Sequence, residues 1–429
     1  MTGRKWYWVP LFCFMFLSSG NRCPAQELLT LWTINPGTSF GNLTDRAVQA
    51  FSSENPDVSL TSIHFDNNYY KIRLRTAFEH RQAPDLFHHW GAESIRSYVQ
   101  QGHVASLDEL VEHLGNSLLP VAFAPVTFDG KVYGVPYSGL TGVYFWYRRD
   151  VFAAHGLQPP KTWQEFIQVG ETLKRNGIIP VALANRNKWP GSFFYMYLVD
   201  RIGGPLLFHE AVNRLNNRTF NHPAFVKAGE LLVDLVERDF FPDGFNRSRD
   251  ESGNWHSLFV SGQAGMYLMG SWFLSVLNEV PPEIRASIDF FVFPMVEGGA
   301  GSSQSVIGSP GQDYLSVSAD SRQLPAAMAF LRDYICTPQY FRQLAKQGFV
   351  PPVTNAVDYL DDPLARKVAD TFLQAEHVQL YWDQVLPSTM AEAHKLLVHQ
   401  LLELQITPEQ AAGSHEDLLR NTVVPRGGG

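Results

Sequence analysis

The first part of the chain alternates between strand patterns and helix patterns. Glu27–Ile34 is an apolar segment of strand length, and Val58–Phe65 alternates between apolar and polar residues with a period of two. Thr44–Glu54 lies between them and has apolar residues at helical spacing, as does Tyr69–His80. A short strand is expected at Asp85–His88. This β-α-β-α-β order predicts a mostly parallel sheet with helices on its faces.

A second series of strands and helices follows. Gly142–Tyr147 and Ile178–Ala184 are predicted strands, and Ala224–Glu237 is a strongly amphipathic predicted helix. Further strands are predicted at Ala264–Met269 and Ile288–Phe293, and further helices at Pro325–Ile335 and Thr337–Lys346. Because 429 residues exceed one typical domain core, the two series predict two lobes.

Three motifs predict where helices begin. Ser106–Glu109, Thr162–Glu165 and Thr407–Gln410 each have a Ser or Thr three residues before a Glu or Gln. In such a capping box, each side chain bonds a backbone N–H group that the first helical turn leaves unpaired. We expect a helix to start at each motif, the second one continuing to about Lys174.

Aromatic and polar side chains recur where the predicted strands end. The carboxyl ends of parallel strands share one edge of a sheet, and ligands of such folds bind beyond that edge. Tryptophan faces can stack on the C–H groups of a sugar ring, while carboxylates and amides can bond its hydroxyls. The candidate ligand-binding residues are Trp32, Asn35, Asp66, Asn67, Trp90, Trp189, Trp272, Trp382 and Asp383.

Each candidate also has a structural interpretation that the sequence leaves open. The tryptophans can pack in a core or between lobes. Asp66 can cap a helix, and Asp383 can form a salt bridge in a loop. Trp90, Trp272 and the segment Tyr381–Asp383 are the first targets for mutation, because the sugar prediction depends most on them.

The first 25 residues have the pattern of a secretory signal peptide. Arg4 and Lys5 precede an apolar stretch, Trp6–Leu17, that is too short to span a bilayer comfortably. A candidate cleavage site precedes Gln26, so we expect a mature protein that is periplasmic or extracellular. A lipid anchor at Cys23 is the less favoured alternative, because Asn and Arg precede this cysteine instead of small residues. No later stretch is apolar enough for a transmembrane helix.

Charge and cysteine content argue against several kinds of partner. The net charge is −8 and no long basic run occurs, which argues against nucleic acid. Cys336 is the only cysteine after the expected signal, so neither an intramolecular disulfide nor a cysteine metal site can form. His88 and His89 should point to opposite faces of a strand, one buried and one exposed, and cannot chelate a metal alone. We expect no metal and no cofactor.

Motifs of common enzymes are missing from the sequence. It has no Walker loop, GxSxG elbow, HExxH or CxxC motif. A glycosidase needs two carboxylates that converge on one bond. The sequence singles out no such pair but does not exclude one, so an extracellular carbohydrate-active enzyme stays open as an alternative to a binding protein.

A series of short motifs follows in order along the chain. They are Ala83–Phe87 (APDLF), Asp129–Pro136 (DGKVYGVP), Tyr147–Phe152 (YRRDVF), Pro159–Phe166 (PPKTWQEF), Phe259–Met266 (FVSGQAGM), Gly270–Trp272 (GSW) and Gln379–Pro387 (QLYWDQVLP). Together they resemble extracellular solute-binding proteins, family 1, the maltose-binding-protein-like sugar receptors of bacterial ABC importers. Arg148 and Arg149 replace the Asn-Lys pair that is usual in the family, at positions expected on the surface.

The resemblance implies an α/β, periplasmic-binding-protein-like fold. Two α/β lobes would be joined by a three-segment hinge, with the ligand in the interlobe cleft. The N-lobe would comprise residues 26–138 plus 309–335, the C-lobe residues 139–308 plus 336–415, and residues 416–429 would form a tail.

The resemblance also implies a function. A monomeric receptor would capture a sugar or oligosaccharide by lobe closure and deliver it to an ABC permease. The same fold could instead bind a polyamine through converging carboxylates, ferric ion through paired tyrosines, or a glycerol phosphoester through Arg or helix N-termini. The tryptophans near the strand ends favour a sugar. Signalling to a membrane sensor stays open.

Overall fold

The computed structural model describes residues 27–34, 38–248 and 254–422. The expected signal peptide at residues 1–25, Cys23, Asn35 and the C-terminal glycines lie outside the described residues. Within the described ranges, no helix combines the length and apolar character needed to cross a membrane.

The described strands and helices follow the α/β order that the sequence predicts. The strands are β1 (Glu27–Ile34), β2 (Val58–Phe65), β3 (Leu86–His89), β4 (Thr127–Phe128), β5 (Lys131–Val132), β6 (Val135–Pro136), β7 (Thr141–Arg148), β8 (Ile179–Ala182), β9 (Ala264–Gly270), β10 (Ile288–Phe291), β11 (Ser305–Ser309), β12 (Tyr314–Val317) and β13 (His377–Gln379). The helices are α1 (Ser39–Glu54), α2 (Asn67–Glu79), α3 (Glu93–Gln100), α4 (Asp108–Leu114), α5 (Arg149–Ala154), α6 (Trp163–Arg175), α7 (Trp189–Gly203), α8 (Leu207–Asn213), α9 (Pro223–Glu237), α10 (Asn254–Val260), α11 (Phe273–Leu277), α12 (Pro282–Ala286), α13 (Leu324–Phe330), α14 (Pro338–Lys346), α15 (Pro363–Leu373), α16 (Trp382–Val385), α17 (Ser388–Leu402) and α18 (Pro408–Thr422).

The first sheet has the strand order β2-β1-β3-β12-β6. β1 runs parallel to both β2 and β3, so Trp32 lies level with Ile63 on one side and Phe87 on the other. This register brings the carboxyl ends of the three strands to one edge, as predicted. β12 lies between β3 and β6 and runs antiparallel to both.

The second sheet has the order β13-β11-β7-β9-β8, with β10 also pairing with β7. Every residue of β7 is buried, which accounts for its continuous apolar run. β7 is antiparallel to β9, β10 and β11, while β8–β9 and β11–β13 are parallel. A mostly parallel sheet is therefore the wrong description of this half, because β7 runs against the strands that flank it.

Two of the three predicted capping boxes are present. At the start of α6, Thr162 Oγ1 accepts from the Glu165 backbone N–H at 3.2 Å, and the Glu165 carboxylate accepts from Thr162 N–H at 3.3 Å. Thr407 and Gln410 form the same reciprocal pair before α18. The box expected at Ser106–Glu109 is wrong. Ser106 Oγ instead donates to the Asp108 carboxylate at 2.7 Å, and α4 starts at Asp108.

Arg148 lies inside the protein and not on the expected surface. It is 6% exposed at the end of β7. Its guanidinium pairs with Asp150 at 2.7 Å and donates to the Phe259 carbonyl at 3.3 Å. These bonds join β7 to the end of α10, so the departure from the family's motif has a structural role here, while Arg149 is exposed.

Two stretches lead directly from one sheet to the other, residues 137–140 after β6 and residues 310–313 after β11. They contact each other through the Tyr137 N–H, which donates to the Asp313 carbonyl at 3.0 Å. Gly139 lies so close to Val350 that a Cβ atom there would be 2.0 Å from the Val350 carbonyl oxygen. We refer to residues 137–140 and 310–313 as the crossing stretches.

The segment after residue 336, expected in the C-lobe, first packs against the first-sheet half. Phe349 contacts Phe40 of α1 with ring centroids 5.1 Å apart, and the Leu119 N–H donates to the Pro352 carbonyl at 2.9 Å. The chain reaches the second-sheet half by α15, where Lys367 pairs with Asp289 at 2.6 Å. Asn278, at the end of α11 in the second-sheet half, already donates to the Lys346 carbonyl at 3.2 Å. A third passage between the halves therefore extends over about residues 346–363, later than the expected boundary at 336.

The last described helix continues into the segment expected to be a tail. α18 extends to Thr422, and Glu416 within it is 2% exposed. The Glu416 carboxylate accepts from Arg214 at 2.7 Å and from Arg420 at 2.9 Å. The tail boundary expected at residue 416 therefore falls inside a packed helix.

Candidate ligand-binding site

Trp90 lies just after β3, at the carboxyl edge of the first sheet, and is 8% exposed. The His88 ring meets it edge-on with centroids 4.5 Å apart, and the Tyr70 ring at 6.1 Å. The Lys71 ammonium, from α2, lies 4.7 Å from the Trp90 ring centroid. A cation at this distance is attracted by the π-electrons of the ring.

Lys71 also reaches across to the second-sheet half. Its Nζ lies 3.5 Å from Asp383 Oδ2, in α16, and Lys395 Nζ of α17 lies 3.9 Å from the same oxygen. Lys395 pairs in addition with the exposed Glu392 at 2.7 Å. We call Trp90, Lys71, Asp383 and Lys395 the Trp90 cluster. It is a place where the two halves touch through charged side chains.

The charges of the Trp90 cluster control the ionisation of Asp383. Burial raises the pKa of this carboxyl group, but the ammonium groups of Lys71 and Lys395 outweigh burial and hold the pKa below its usual value. Burial lowers the pKa of Lys71, and Asp383 opposes that shift. Asp383 is therefore an ionised acceptor at neutral pH.

A second group of aromatic rings lies in the second-sheet half. Trp272 contacts Trp189 at 6.0 Å, Phe193 at 6.2 Å and Tyr381 at 6.3 Å between ring centroids. Trp189 and Trp272 are both partly exposed, whereas Tyr381 is buried. We call these four residues the Trp272 cluster. A Cβ atom at Gly270 would be 2.1 Å from the Trp272 ring, so this ring position requires glycine there.

The segment Tyr381–Asp383 connects the two clusters. Tyr381 belongs to the Trp272 cluster and its hydroxyl bonds Thr141 Oγ1 at 3.1 Å, while Asp383 belongs to the Trp90 cluster. Trp382, between them, is 1% exposed and stacks on Phe208 with centroids 4.0 Å apart. The core-packing interpretation therefore holds for Trp382, and its prediction as a ligand-binding residue is not supported.

The remaining candidates lie on the first-sheet half. Trp32 is partly buried and packs against Phe65 at 5.0 Å. Asp66 is exposed, and its carboxylate accepts from the Tyr69 N–H at 3.3 Å, which is the helix-capping role left open above. Asn67 begins α2, and its Oδ1 is buried without a hydrogen-bond partner among the described residues. Asn35 lies outside the described residues.

His88 and His89 point to opposite faces of β3, as expected, but both are buried. β3 is covered on both faces, so the expected exposed histidine is wrong. His88 Nδ1 bonds the Tyr137 hydroxyl at 2.9 Å, and His89 Nε2 bonds Ser316 Oγ at 2.7 Å. His88 Nε2 lies 3.8 Å from Asp313, whose pKa burial raises to about 7. Across the part of the chain described, no group of three or more His, Cys, Asp or Glu could hold a metal ion.

A cavity of about 360 Å³ lies beside the crossing stretch that contains Pro310. Ala92, Pro125 and Phe128 line it from one half, and Phe372 and Leu380 from the other. None of the described candidate residues lines this space. Its mostly apolar wall does not suit a ligand rich in hydroxyls.

Lys71 and Lys395 are site residues that sequence reasoning missed. Both sit in amphipathic helices, where a lysine is normally a solvated surface residue. The salt bridge considered for Asp383 implied a basic partner. Nothing in the local sequence could identify partners that lie in α2 and α17, because the fold alone brings them together.

The comparison with protein families agrees with this architecture. A sequence model of the family described as bacterial extracellular solute-binding protein matches residues 37–360, more than half of the chain. The chain belongs to this family. The resemblance seen in the motifs is confirmed, and the family places this solute-binding protein among extracellular proteins.

Individual relatives of this solute-binding protein are distant. The melibiose/raffinose/stachyose-binding protein MelE of Bacillus subtilis is 24% identical over 85% of this chain and 83% of its own length. Two uncharacterised ABC transporter extracellular-binding proteins of Pyrococcus horikoshii are 27% and 30% identical, and this chain spans 59% and 45% of their lengths.

Solved structures confirm the fold class. A protein described in work on xylan utilization by the thermophilic bacterium Caldanaerobius polysaccharolyticus superimposes with a TM-score of 0.82. It is 27% identical, and the match covers 91% of this solute-binding protein and 99% of the other chain. The periplasmic-binding-protein-like α/β fold is thereby confirmed.

Proposed function

We propose that this solute-binding protein is a non-catalytic receptor that captures a sugar or oligosaccharide and delivers it to an ABC importer. One observation carries the proposal. The short segment Tyr381–Asp383 connects two groups that suit a sugar. Tyr381 contacts the Trp272 ring, and the Asp383 carboxylate lies between two ammonium groups. A sugar ring needs aromatic surface for its C–H faces and charged or polar groups for its hydroxyls. The name of MelE, which refers to three oligosaccharides, supports this ligand class.

We propose Trp90, Trp189, Trp272 and Asp383 as the central ligand-binding residues, together with Lys71. Trp32, Asn35, Asp66 and Asn67 are proposed as more distant contacts along the carboxyl edge of the first sheet. Trp382 is left out because its ring is enclosed in the core.

The ligand would enter a cleft between the two halves. The crossing stretches and the passage within residues 346–363 would act as a three-segment hinge about which the halves close. The contact between Lys71 and Asp383 supports closure, because it joins side chains from opposite halves. We propose that the receptor works as a monomer, exported by its N-terminal signal to the periplasm or cell exterior, with an ABC permease as its partner.

The ionisation of Asp383 makes this residue unsuited to the general-acid role in a carbohydrate-active enzyme. A glycosidase needs a general acid whose pKa is raised and a second carboxylate on the other side of the bond. The pKa of Asp383 is instead held low by Lys71 and Lys395. The same two ammonium groups disfavour a polyamine, which requires converging carboxylates.

A thermal-shift screen tests the proposed function. Mature protein would be heated with mono- and oligosaccharides, spermidine, glycerol phosphate and ferric citrate. A tight ligand raises the melting temperature by mass action, and we expect only saccharides to do so. Each hit would then be incubated with the protein and analysed by chromatography for cleavage. A shift only with a non-sugar solute, or cleavage of a glycosidic bond, would contradict the proposal.

A further inference from the structure

We propose that His88 and Asp313 form a proton-dependent contact between the hinge and the Trp90 ring, so that closure on a solute is accompanied by uptake of a proton. Asp313 is the last residue of the crossing stretch 310–313, and His88 lies in β3, two residues before Trp90. We call His88 and Asp313 the hinge pair. The inference rests on the hinge of the proposed function, but it applies to any solute on which the halves close.

The His88 ring lies between the crossing stretches and Trp90. Its Nδ1 atom bonds the hydroxyl of Tyr137, in the stretch 137–140, at 2.9 Å. The ring meets Trp90 edge-on with centroids 4.5 Å apart. The Tyr137 backbone N–H donates to the Asp313 carbonyl at 3.0 Å, which joins the two stretches. A shift of either stretch therefore reaches Trp90 through a single side chain.

The other ring nitrogen of His88 is not satisfied. His88 Nε2 is buried without a hydrogen-bond partner among the residues that the structure describes. It lies 3.8 Å from Asp313 Oδ1, whereas a hydrogen bond measures about 2.7–3.2 Å. Both side chains are buried. Since an unpaired buried polar atom is unfavourable, a small movement that brings the two side chains together is favoured.

A proton on Asp313 would give the hinge pair a hydrogen bond without a buried charge. The proton comes from the solvent and adds to a carboxylate oxygen, which can then donate to His88 Nε2. Burial raises the pKa of Asp313 to about 7, so this proton is exchanged near neutral pH. Closure excludes water and penalises the ionised carboxylate further. The closed form should therefore hold the proton more tightly than the open form.

Tyrosines surround Asp313 and stay neutral. They face it from the other crossing stretch, from β12, from α14 and from the residue before α16, and they are Tyr137, Tyr314, Tyr340 and Tyr381. Burial raises the pKa of each of these hydroxyl groups. None of the four can therefore supply or take up a proton near neutral pH.

The groups around His88 are Tyr70 and Lys71 of α2 and the adjacent His89. Burial, with smaller effects of His89 and Lys71, holds the pKa of His88 well below its usual value, so His88 stays a neutral acceptor. Burial lowers the pKa of His89 to about 3 and raises that of Tyr70. Lys71, whose pKa burial also lowers, is the competing source of pH dependence that the variants must separate.

Proton uptake during binding tests the inference. The tightest ligand from the thermal-shift panel would be titrated into mature protein by calorimetry at pH 6.5, 7.5 and 8.5. Buffers with different enthalpies of ionisation give the number of protons taken up. We expect a fraction of one proton at pH 7.5 and several-fold weaker binding at pH 8.5 than at pH 6.5. One fully linked proton would weaken binding by about tenfold per pH unit.

Three variants assign the proton. Asp313→Asn has nearly the same size and cannot ionise, so it should abolish both the proton uptake and the loss of affinity at high pH. Lys71→Met should weaken binding but keep the proton uptake. Asp320→Asn, at an exposed carboxylate shortly after β12, is the matched control and should behave as wild type.

Infrared spectroscopy on unliganded wild-type protein gives a measurement that needs no variant. Ordinary carboxyl groups are ionised well below pH 6. We expect one protonated-carboxyl band that disappears between pH 6 and pH 8, and a folded Asp313→Asn protein should lack it. Absence of this band from wild-type protein would contradict the inference even if Asp313→Asn failed to fold.

The outcomes distinguish this inference from the proposed function. Equal affinity from pH 6.5 to pH 8.5 without proton uptake, or uptake that persists in Asp313→Asn, overturns the inference alone. If only a non-sugar solute binds, the proposed function fails, while proton uptake with that solute still tests the hinge pair. A protein that binds nothing in the panel contradicts both.

Discussion

Two adjacent side chains, Trp382 and Asp383, have different environments. Trp382 stacks on Phe208 in the core, while Asp383 meets Lys71 from the other half of the molecule. Both residues lie in the first turn of the short helix α16, which directs successive side chains to different sides. Mutation at the two positions should therefore affect different properties, stability at the first and binding at the second.

Trp382→Ala should lower the free energy of unfolding by about 3–5 kcal/mol, because it empties a large space in a well-packed core. Urea unfolding followed by circular dichroism would measure the loss. Leu206→Ala, at a residue that is 53% exposed, is the control and should change little. A stability loss equal to that of the control would place Trp382 outside the core.

Trp272→Ala should instead weaken sugar binding by about 1–3 kcal/mol if its partly exposed ring stacks on the ligand. The substitution leaves Gly270 unchanged, and the smaller alanine side chain introduces no clash with it. Calorimetry with the best saccharide from the screen would measure the effect. Unchanged affinity in a folded variant would remove Trp272 from the proposed site.

Among secondary-structure elements, α17 and α18 are joined by a buried pair of histidines. His394 Nδ1 and His415 Nε2 lie 2.9 Å apart, and both side chains are fully enclosed. Burial lowers the pKa of His415 to about 4, and burial with nearby His415 and Lys395 lowers that of His394 well below its usual value. Both rings are therefore neutral in the folded protein at neutral pH.

This pair should make the protein sensitive to acid. In the unfolded chain each histidine takes up a proton near pH 6.5, whereas the folded pair resists protonation. Its contribution to stability is complete above that pH and is lost as the pH falls toward 4, by up to about 1.4 kcal/mol per pH unit for each ring. Urea unfolding at pH values from 4 to 8 would measure this slope.

His415→Gln should flatten the dependence of stability on pH, since it removes one of the two buried titrating rings. His80→Gln changes an exposed histidine and should keep the wild-type slope. If the free energy of unfolding of His415→Gln depends on pH as steeply as that of wild type, the acid sensitivity comes from other groups.

The sequence predicted individual strands and helix starts better than it predicted which of these elements pack against each other. Strand β7 and the capping boxes at Thr162 and Thr407 could be predicted, because each depends on residues that are close in sequence. The box at Ser106 failed because Asp108 competes for the serine hydroxyl. The lysines of the Trp90 cluster could not be predicted, since their partner lies in a distant part of the chain.

For the molecule as a whole, the halves are connected by the crossing stretches and touch again at the Trp90 cluster. A ligand that binds both halves should draw them together. Small-angle X-ray scattering should therefore show a smaller radius of gyration at saturating ligand than without it. A radius that does not change for a ligand with confirmed binding would count against the hinge, while the sugar-binding proposal would stand.

The placement of β12 has a consequence for how the chain reaches its fold. Until Tyr314–Val317 has been synthesised, β3 and β6 have no strand between them and the first sheet has a gap. Contacts so far apart in sequence form slowly. The first sheet can therefore be completed only after residue 317 has been synthesised, when about three quarters of the polypeptide exists.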